Sequence, residues 1–151
     1  MNAFVLIGAQ NSRKSSVCRS LTGCAQRSVR EIKPAKGSTI RAYIRPTSLQ
    51  ETNTKPEEFI IEVMNRGVHT VVFCLWPHAR LRNPHDFPHA QSYLDNFIAH
   101  GWNIDHVAIL GQAKLPLGSA IPAGRISTFP ETFLHPTNVS AAGIRAAFGW
   151  I

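Results

Sequence analysis

Short runs of uniformly apolar residues, separated by helix-type segments, are the feature that most restricts the fold of this chain. The runs cover residues 4–7, 71–76 and 107–110. A strand that is apolar on both faces is typical of a parallel sheet covered by helices on both sides, because a half-exposed strand alternates apolar and polar residues. The segments between the runs place apolar side chains three and four positions apart, as one face of a helix does. This alternation predicts an α/β fold.

The same patterns divide the chain into five strands and four helices. The predicted strands are residues 4–7, 39–45, 69–76, 104–110 and 125–129. The predicted helices run from 14 to 21, from a capping box at 54–57 to Gly67, from Asp86 and Pro88 to Gly101, and from about 140 to 148. With helices between the strands, the order predicts a three-layer sandwich around a five-stranded, mainly parallel sheet in spatial order 2-3-1-4-5. We expect one domain over residues 1–151.

Residues 39–45 differ from the other predicted strands because they alternate. Ile40, Ala42 and Ile44 fall on one side, and Arg41, Tyr43 and Arg45 fall on the other. Alternation of this kind is typical of a strand with one exposed face. We therefore predict that residues 39–45 form an edge strand.

Composition narrows the class of protein. At 151 residues and 44% hydrophobic, the chain has the size and apolar content of one globular domain. No apolar run approaches the length of a membrane span, about 18 residues, and residues 1–7 lack the pattern of a secretory signal. We therefore expect a cytoplasmic protein without a membrane contact.

The three cysteines form no C-x-x-C pair, which argues against a disulfide framework or a zinc knuckle.

Positive charge is concentrated in residues 13–45. This basic segment holds nine Lys and Arg residues and one acid, Glu31, for a net charge of +8, whereas the rest of the chain sums to −1. A local excess of this size predicts an anionic partner such as bound phosphates, nucleic acid or an acidic protein surface. A solvated basic face without a partner is the alternative.

Residues 8–15 read GAQNSRKS, follow the first predicted strand and open the first predicted helix. They resemble the phosphate-binding P-loop, G-x-x-x-x-G-K-[ST], with Arg13 in place of the second glycine. A loop that wraps phosphates needs a glycine at the strand exit, a lysine that reaches the β- and γ-phosphates, and a hydroxyl at the helix start for Mg²⁺. Gly8, Lys14 and Ser15 stand at these positions, which predicts a nucleotide- or phosphate-binding loop.

The resemblance extends through the first predicted helix. Residues 8–16 followed by Leu21, Thr22 and Gly23 are similar to the first motif of small translation-factor-type GTPases of the P-loop NTPase superfamily, which commonly read G-x-x-N-x-G-K-S-S and end their helix in L-T-G. This resemblance implies a nucleoside triphosphate ligand, with Mg²⁺ held in part by Ser15. The residues that it assigns to the phosphates are Gly8, Gln10, Asn11, Ser12, Arg13, Lys14, Ser15 and Ser16.

Three departures from the GTPase pattern bear on catalysis and base specificity. A side chain at Arg13 either strains the loop or adds a second cation to the phosphates. P-loop enzymes usually place an acid after the strand beside the P-loop strand, to hold Mg²⁺ through its water shell, but residues 73–77 read FCLWP. The guanine-specifying N-K-x-D is absent after residues 104–110, so the choice between ATP and GTP stays open.

The absent acid predicts that any magnesium-dependent hydrolysis is slow or undetectable, because the metal neutralises much of the charge that develops during phosphoryl transfer. Glu51, after the second predicted strand, and Glu131, after the fifth, are the acids at the same sheet edge that could substitute.

Two further groups of residues follow the third predicted strand. Arg80 and Arg82 are candidate catalytic arginines for a transferring phosphoryl group, with ordinary solvent-exposed arginines as the alternative. Cys74, His78, His85 and His89 are residue types that bind zinc, but Cys74 is expected to face the sheet and the prolines between these residues do not favour a regular metal site.

Two functions from different classes fit these patterns. The first is a nucleotide-binding P-loop protein, with a weak NTPase or a small phosphotransferase as the catalytic alternatives, in which Lys14 and the loop amides hold the phosphates. The second is a non-catalytic, P-loop-derived module that binds nucleic acid or an acidic protein partner through residues 13–45. The intact pair of Lys14 and Ser15 favours the first function, and the missing acid after Cys74 favours the second.

Overall fold

Six strands form one sheet in the computed structural model, which describes residues 1–78, 89–111, 117, 120–130 and 136–151. The strands are β1 (Asn2–Gly8), β2 (Ser28–Ile32), β3 (Ile40–Ser48), β4 (Thr70–Leu75), β5 (Asn103–Leu110) and β6 (Ile126–Phe129). The helices are α1 (Lys14–Thr22), α2 (Pro56–Met64), α3 (Ala90–Ala99) and α4 (Thr137–Ala147), and a short 3-10 helix (Ala123–Arg125) precedes β6. The predicted α/β fold is confirmed.

The strands lie in the order β2-β3-β4-β1-β5-β6. β2 pairs antiparallel with β3, and every other neighbouring pair is parallel. The spatial order predicted for the other five strands is confirmed. Because β1 lies between β4 and β5, the loop that leaves its carboxyl end lies at the centre of that sheet edge, where open α/β sheets bind ligands.

Helices cover both faces of the sheet, which explains why residues 3–7 of β1 are apolar. Val5 and Ile7 pack into the cluster that α2 and α3 bury on one face. Phe4 and Leu6 pack into the cluster that α1 and α4 bury on the opposite face. Successive side chains of a strand point to opposite faces, so a strand in this position needs apolar residues at every position.

The predicted count of five strands is wrong, and residues 39–45 do not form an edge strand. β2 pairs along β3 from Ser28 opposite Ile44 to Ile32 opposite Ile40, and takes the edge position. β2 was missed because its sequence, SVREI, has neither an apolar run nor a regular alternation. Its strand conformation depends on pairing with β3 rather than on local pattern.

The exposure expected on β3 is also wrong at two positions. Arg41 is exposed, as predicted, but Tyr43 is fully buried and Arg45 is only 3% exposed. α2 covers this face of the strand: Tyr43 belongs to the apolar cluster that contains Phe59 of α2, and Glu62 of α2 accepts hydrogen bonds from both side chains. A polar or charged side chain that the strand pattern places toward solvent can be buried when a side chain of another element accepts its hydrogen bonds.

Helix ends differ from the predictions by a turn or less where the structure describes them. The cap of α2 is one residue later than predicted, because the backbone N–H of Lys55 donates to Glu58 Oε2 at 2.9 Å. α4 begins at Thr137 rather than near residue 140. Gly23 ends α1 with φ 68°, a left-handed conformation that glycine adopts readily. Asp86 and Pro88, predicted to open the third helix, lie outside the described residues.

Across the described ranges, we find no helix whose length and apolar character would let it span a membrane.

Candidate phosphate-binding site

The loop between β1 and α1 contains two residues with left-handed backbone conformations and a glycine that lies close to the Ser12 side chain. An added Cβ at Gly8 would lie 2.5 Å from Ser12 Oγ, so a larger residue at this position would require the Ser12 side chain to move. The N–H of Ser12 donates to the carbonyl of Ala9 at 3.1 Å, which closes a turn inside the loop. Asn11 and Arg13 both have left-handed backbone conformations, with φ of 65° and 60°.

Arg13, the residue before Lys14, has a backbone conformation that glycine adopts more readily than other residues. Its φ of 60° and ψ of 21° put it in the left-handed region at the N-cap of α1. That conformation costs a residue other than glycine about 1 kcal/mol. The Arg13 side chain is exposed and lines the cavity in front of the loop, so it adds a cation there.

Lys14 is the most unusual charged residue of the loop because its side chain is buried. The residue is 4% exposed, and its Nζ donates to the carbonyl of Ala9 at 3.3 Å and lies 5.8 Å from the centre of the Trp76 ring. Within the described ranges, no carboxylate oxygen comes within 4.0 Å of this ammonium. Burial lowers the pKa of Lys14, and the charges of Cys74 and Glu51 oppose that shift.

The N-terminus of α1 adds to the positive potential at the loop. No side chain caps this end, and the first turn holds no acid. The first backbone N–H groups of a helix lack partners inside the helix and carry the positive end of its dipole. Lys14, Arg13 and the first turn of α1 together form a site that favours an anion.

A cavity of about 170 Å³ opens in front of the loop. Its lining residues are Gln10, Asn11, Arg13, Lys14, Ser15, Glu51 and Trp76. Five of the eight predicted phosphate-binding residues therefore face one space. Gly8 and Ser12 are buried in the base of the loop, and Ser16 is exposed without lining the cavity.

Glu51 reaches this cavity from the loop that follows β3, and that loop is firmly held. The side chain of Gln50 donates to the carbonyl of Trp76 at 2.9 Å and accepts from its N–H at 3.0 Å. On the other side of Glu51, Arg45 donates to the hydroxyls of Thr52 at 2.6 Å and Thr54 at 3.2 Å. These contacts position an exposed carboxylate beside Lys14 and Ser15.

Gln50 and Trp76 are site residues that the sequence did not predict. Trp76 follows β4, the strand beside β1. The predicted order of strands therefore places it near the loop after β1, and this is the signal that could have identified it. Gln50 had no local signal, because its bonds with Trp76 span 26 residues of chain.

Several predicted residues fall outside the site or outside the described residues. β4 ends at Leu75, and the next two residues are Trp76 and Pro77, so no acid immediately follows this strand. Cys74 lies in the buried cluster under α1. A hydrogen bond between the Cys74 and Cys18 side chains, together with burial, raises the pKa of the Cys18 thiol. In the described part of the chain, no three His, Cys, Asp or Glu residues are arranged to hold a metal. The predicted residues outside the described ranges are Arg80, Arg82, His85 and Glu131.

Comparisons with models of protein families, with curated proteins and with solved structures found no match. The functional assignment therefore depends on the chemistry of the loop and of the cavities beside it.

Proposed function

We propose that residues 8–15 bind the phosphates of a nucleoside triphosphate. The observation that carries this proposal is the buried ammonium of Lys14, which faces a cavity at an uncapped helix N-terminus without a carboxylate partner among the described residues. An unpaired buried charge is costly, and an anionic ligand offsets that cost. A phosphate in the cavity would accept from Lys14 and from the N–H groups of the first turn.

Ser15 and Glu51 provide the oxygen ligands for Mg²⁺ in this proposal. Both line the cavity of Lys14. Mg²⁺ prefers oxygen, and in nucleotide sites it is usually bound by one or two carboxylates, phosphate oxygens and several waters. When bound, the ion would neutralise phosphate charge, and Glu51 would replace the acid that is missing after β4.

The proposal is tested by thermal unfolding with ATP, GTP and inorganic triphosphate in the presence of MgCl₂. A ligand at a hundred times its Kd should raise the free energy of unfolding by about 2.7 kcal/mol. Adenosine and guanosine are the matched controls, because they carry the bases without phosphates. Stabilisation by the nucleosides equal to that by the triphosphates, or no stabilisation by any of these ligands at millimolar concentration, would contradict the proposal.

Replacing Glu51 with Gln tests the magnesium site. With MgCl₂ present, we expect the affinity for the preferred triphosphate to fall about tenfold, the effect of losing one charged contact of about 1.4 kcal/mol. In EDTA the variant should bind as well as the wild type or better, because the replacement removes a negative charge near the phosphates. Isothermal titration with and without MgCl₂ measures both effects.

Glu31→Gln is the control for this replacement, because Glu31 is an exposed acid on β2 that does not line the cavity. Tighter triphosphate binding by Glu51→Gln in both MgCl₂ and EDTA would mean that Glu51 serves only as a counter-charge to Lys14.

A further inference from the structure

A second and larger cavity, of about 480 Å³, lies at the same sheet edge. This volume falls in the range of small-molecule pockets. The lining is polar apart from Ala25 and Pro46, and it includes three arginines. We call it the arginine cavity, and its lining residues are Arg19, Ala25, Gln26, Arg27, Arg45, Pro46, Thr47, Thr52 and Thr54.

The arginine cavity is a direct neighbour of the phosphate loop. Thr52, in its wall, follows Glu51, which lines the Lys14 cavity. Arg19 lies four residues after Ser15 on α1, and side chains at this spacing are about 5–6 Å apart on one helix face. Residues one helix turn apart on α1, and consecutive residues of the loop that carries Glu51, therefore line the two cavities.

The three arginines differ in how they are held. Arg45 is fixed, because its Nη1 donates to both carboxylate oxygens of Glu62 at 2.8 Å and its Nη2 donates to Thr52 and Thr54. Arg27 has a side chain that is 60% exposed and lies 3.8 Å from the same carboxylate, a distance too long for a hydrogen bond.

Arg19 is exposed, and no hydrogen bond or ion pair joins its side chain to another residue of the described ranges. Two guanidinium groups, those of Arg19 and Arg27, are thus available to a ligand.

We infer that the arginine cavity binds a small molecule that carries a phosphate monoester. The three arginines less the charge of Glu62 leave a net charge of +2 around the cavity. A phosphate monoester carries about −1.5 to −2 at pH 7, which balances that excess. Guanidinium groups match the geometry of phosphate oxygens through paired N–H donors, and the hydroxyl and amide groups of Thr47 and Gln26 provide further polar contacts. This inference rests on its own cavity and does not require the phosphate loop to bind a nucleotide.

The experiment uses Lys14→Met protein, so that binding at the phosphate loop does not mask the second site. Inorganic phosphate and glycerol 3-phosphate are the probes, titrated calorimetrically at constant ionic strength. On this background, Arg19→Gln with Arg27→Gln should weaken binding of glycerol 3-phosphate about a hundredfold, because two charged donors are lost. The control is Arg30→Gln with Arg41→Gln, which changes the net charge equally at two exposed residues outside the cavity and should alter the affinity less than twofold.

Each outcome of this experiment either supports or overturns the inference. Equal losses of affinity in the two double variants would mean that binding depends on overall positive charge, and would overturn the inference. The inference would also be overturned if Lys14→Met protein that unfolds normally does not bind glycerol 3-phosphate. Tighter binding of a short single-stranded oligonucleotide than of either probe, abolished by both double variants, would overturn it in favour of a nucleic-acid surface. Triphosphate binding by the Arg19→Gln, Arg27→Gln variant with Lys14 intact reports separately on the phosphate loop.

Discussion

Replacing Lys14 with methionine should weaken triphosphate binding by about a hundredfold while it raises the free energy of unfolding of the ligand-free protein by about 1 kcal/mol. Methionine has a similar length, fills the space beside Trp76 and carries no charge. The variant loses the charged contact to phosphate, a loss of about 2.7 kcal/mol if two charged hydrogen bonds disappear. It gains stability because an ammonium that is 4% exposed no longer has to be desolvated on folding.

Lys36→Met is the matched control, because Lys36 is an exposed lysine of the same basic segment. It should leave both the triphosphate affinity and the free energy of unfolding close to the wild-type values. Urea denaturation and isothermal titration measure the two quantities. Unchanged triphosphate affinity in Lys14→Met would reject the proposed phosphate site, whatever happens to stability.

The pH dependence of the two proteins should differ in a defined direction. Burial lowers the pKa of Lys14 in the folded state below 10.5, so the unfolded state binds more protons between the folded and the unfolded pKa. Stability of the wild type relative to Lys14→Met should therefore rise with pH in that window. The free energy of unfolding of the wild type is lower than that of Lys14→Met by the full amount below the pKa that Lys14 has in the folded state. This difference disappears as the pH approaches 10.5. Urea denaturation from pH 7 to pH 10 would detect this convergence, and a constant difference would mean that Lys14 is well solvated.

Replacing Arg45 with methionine should lower the free energy of unfolding by about 3 kcal/mol, the lower end of the cost of breaking a buried ion pair. Glu62 would keep its charge beside the Tyr43 hydroxyl without its bidentate partner. The Arg45 and Glu62 side chains are 4% and 20% exposed, and burial, together with a hydrogen bond to Glu62, raises the pKa of Tyr43 to about 12. Thr52 and Thr54 would lose their donor as well, so we also expect a smaller effect of MgCl₂ on triphosphate binding through Glu51.

Arg41→Met is the control on the same strand, because Arg41 is exposed, and it should change the free energy of unfolding by no more than about 0.5 kcal/mol. A double variant with Arg45→Met and Glu62→Met should recover much of the loss, because it leaves no unpaired charge. Urea denaturation of the four proteins tests this. A cost below about 1 kcal/mol for Arg45→Met would show that water replaces the arginine and that the ion pair does not organise the loop.

The sequence by itself determined the features that depend on local order. Residues 4–7, 71–76 and 107–110 predicted strands covered on both sides, because a short run that is apolar at every position leaves no polar face for solvent. Gly8, Lys14 and Ser15 predicted a loop at the end of β1, and the structure brings Lys14 and Ser15 to one cavity with Gly8 at the base of the loop. The binding of a nucleotide by this loop stays a prediction.

The tertiary structure alone decided the features that depend on pairing between distant segments. β2 forms a strand by pairing its backbone with β3, and Arg45 is buried where Glu62 of α2 and the hydroxyls of Thr52 and Thr54 accept its hydrogen bonds. The place of Glu51 beside Lys14 follows from hydrogen bonds that tie its loop to Trp76 and to Arg45. Periodicity reports which face of one element is apolar, whereas contacts between polar groups of different elements leave no periodic trace in the sequence.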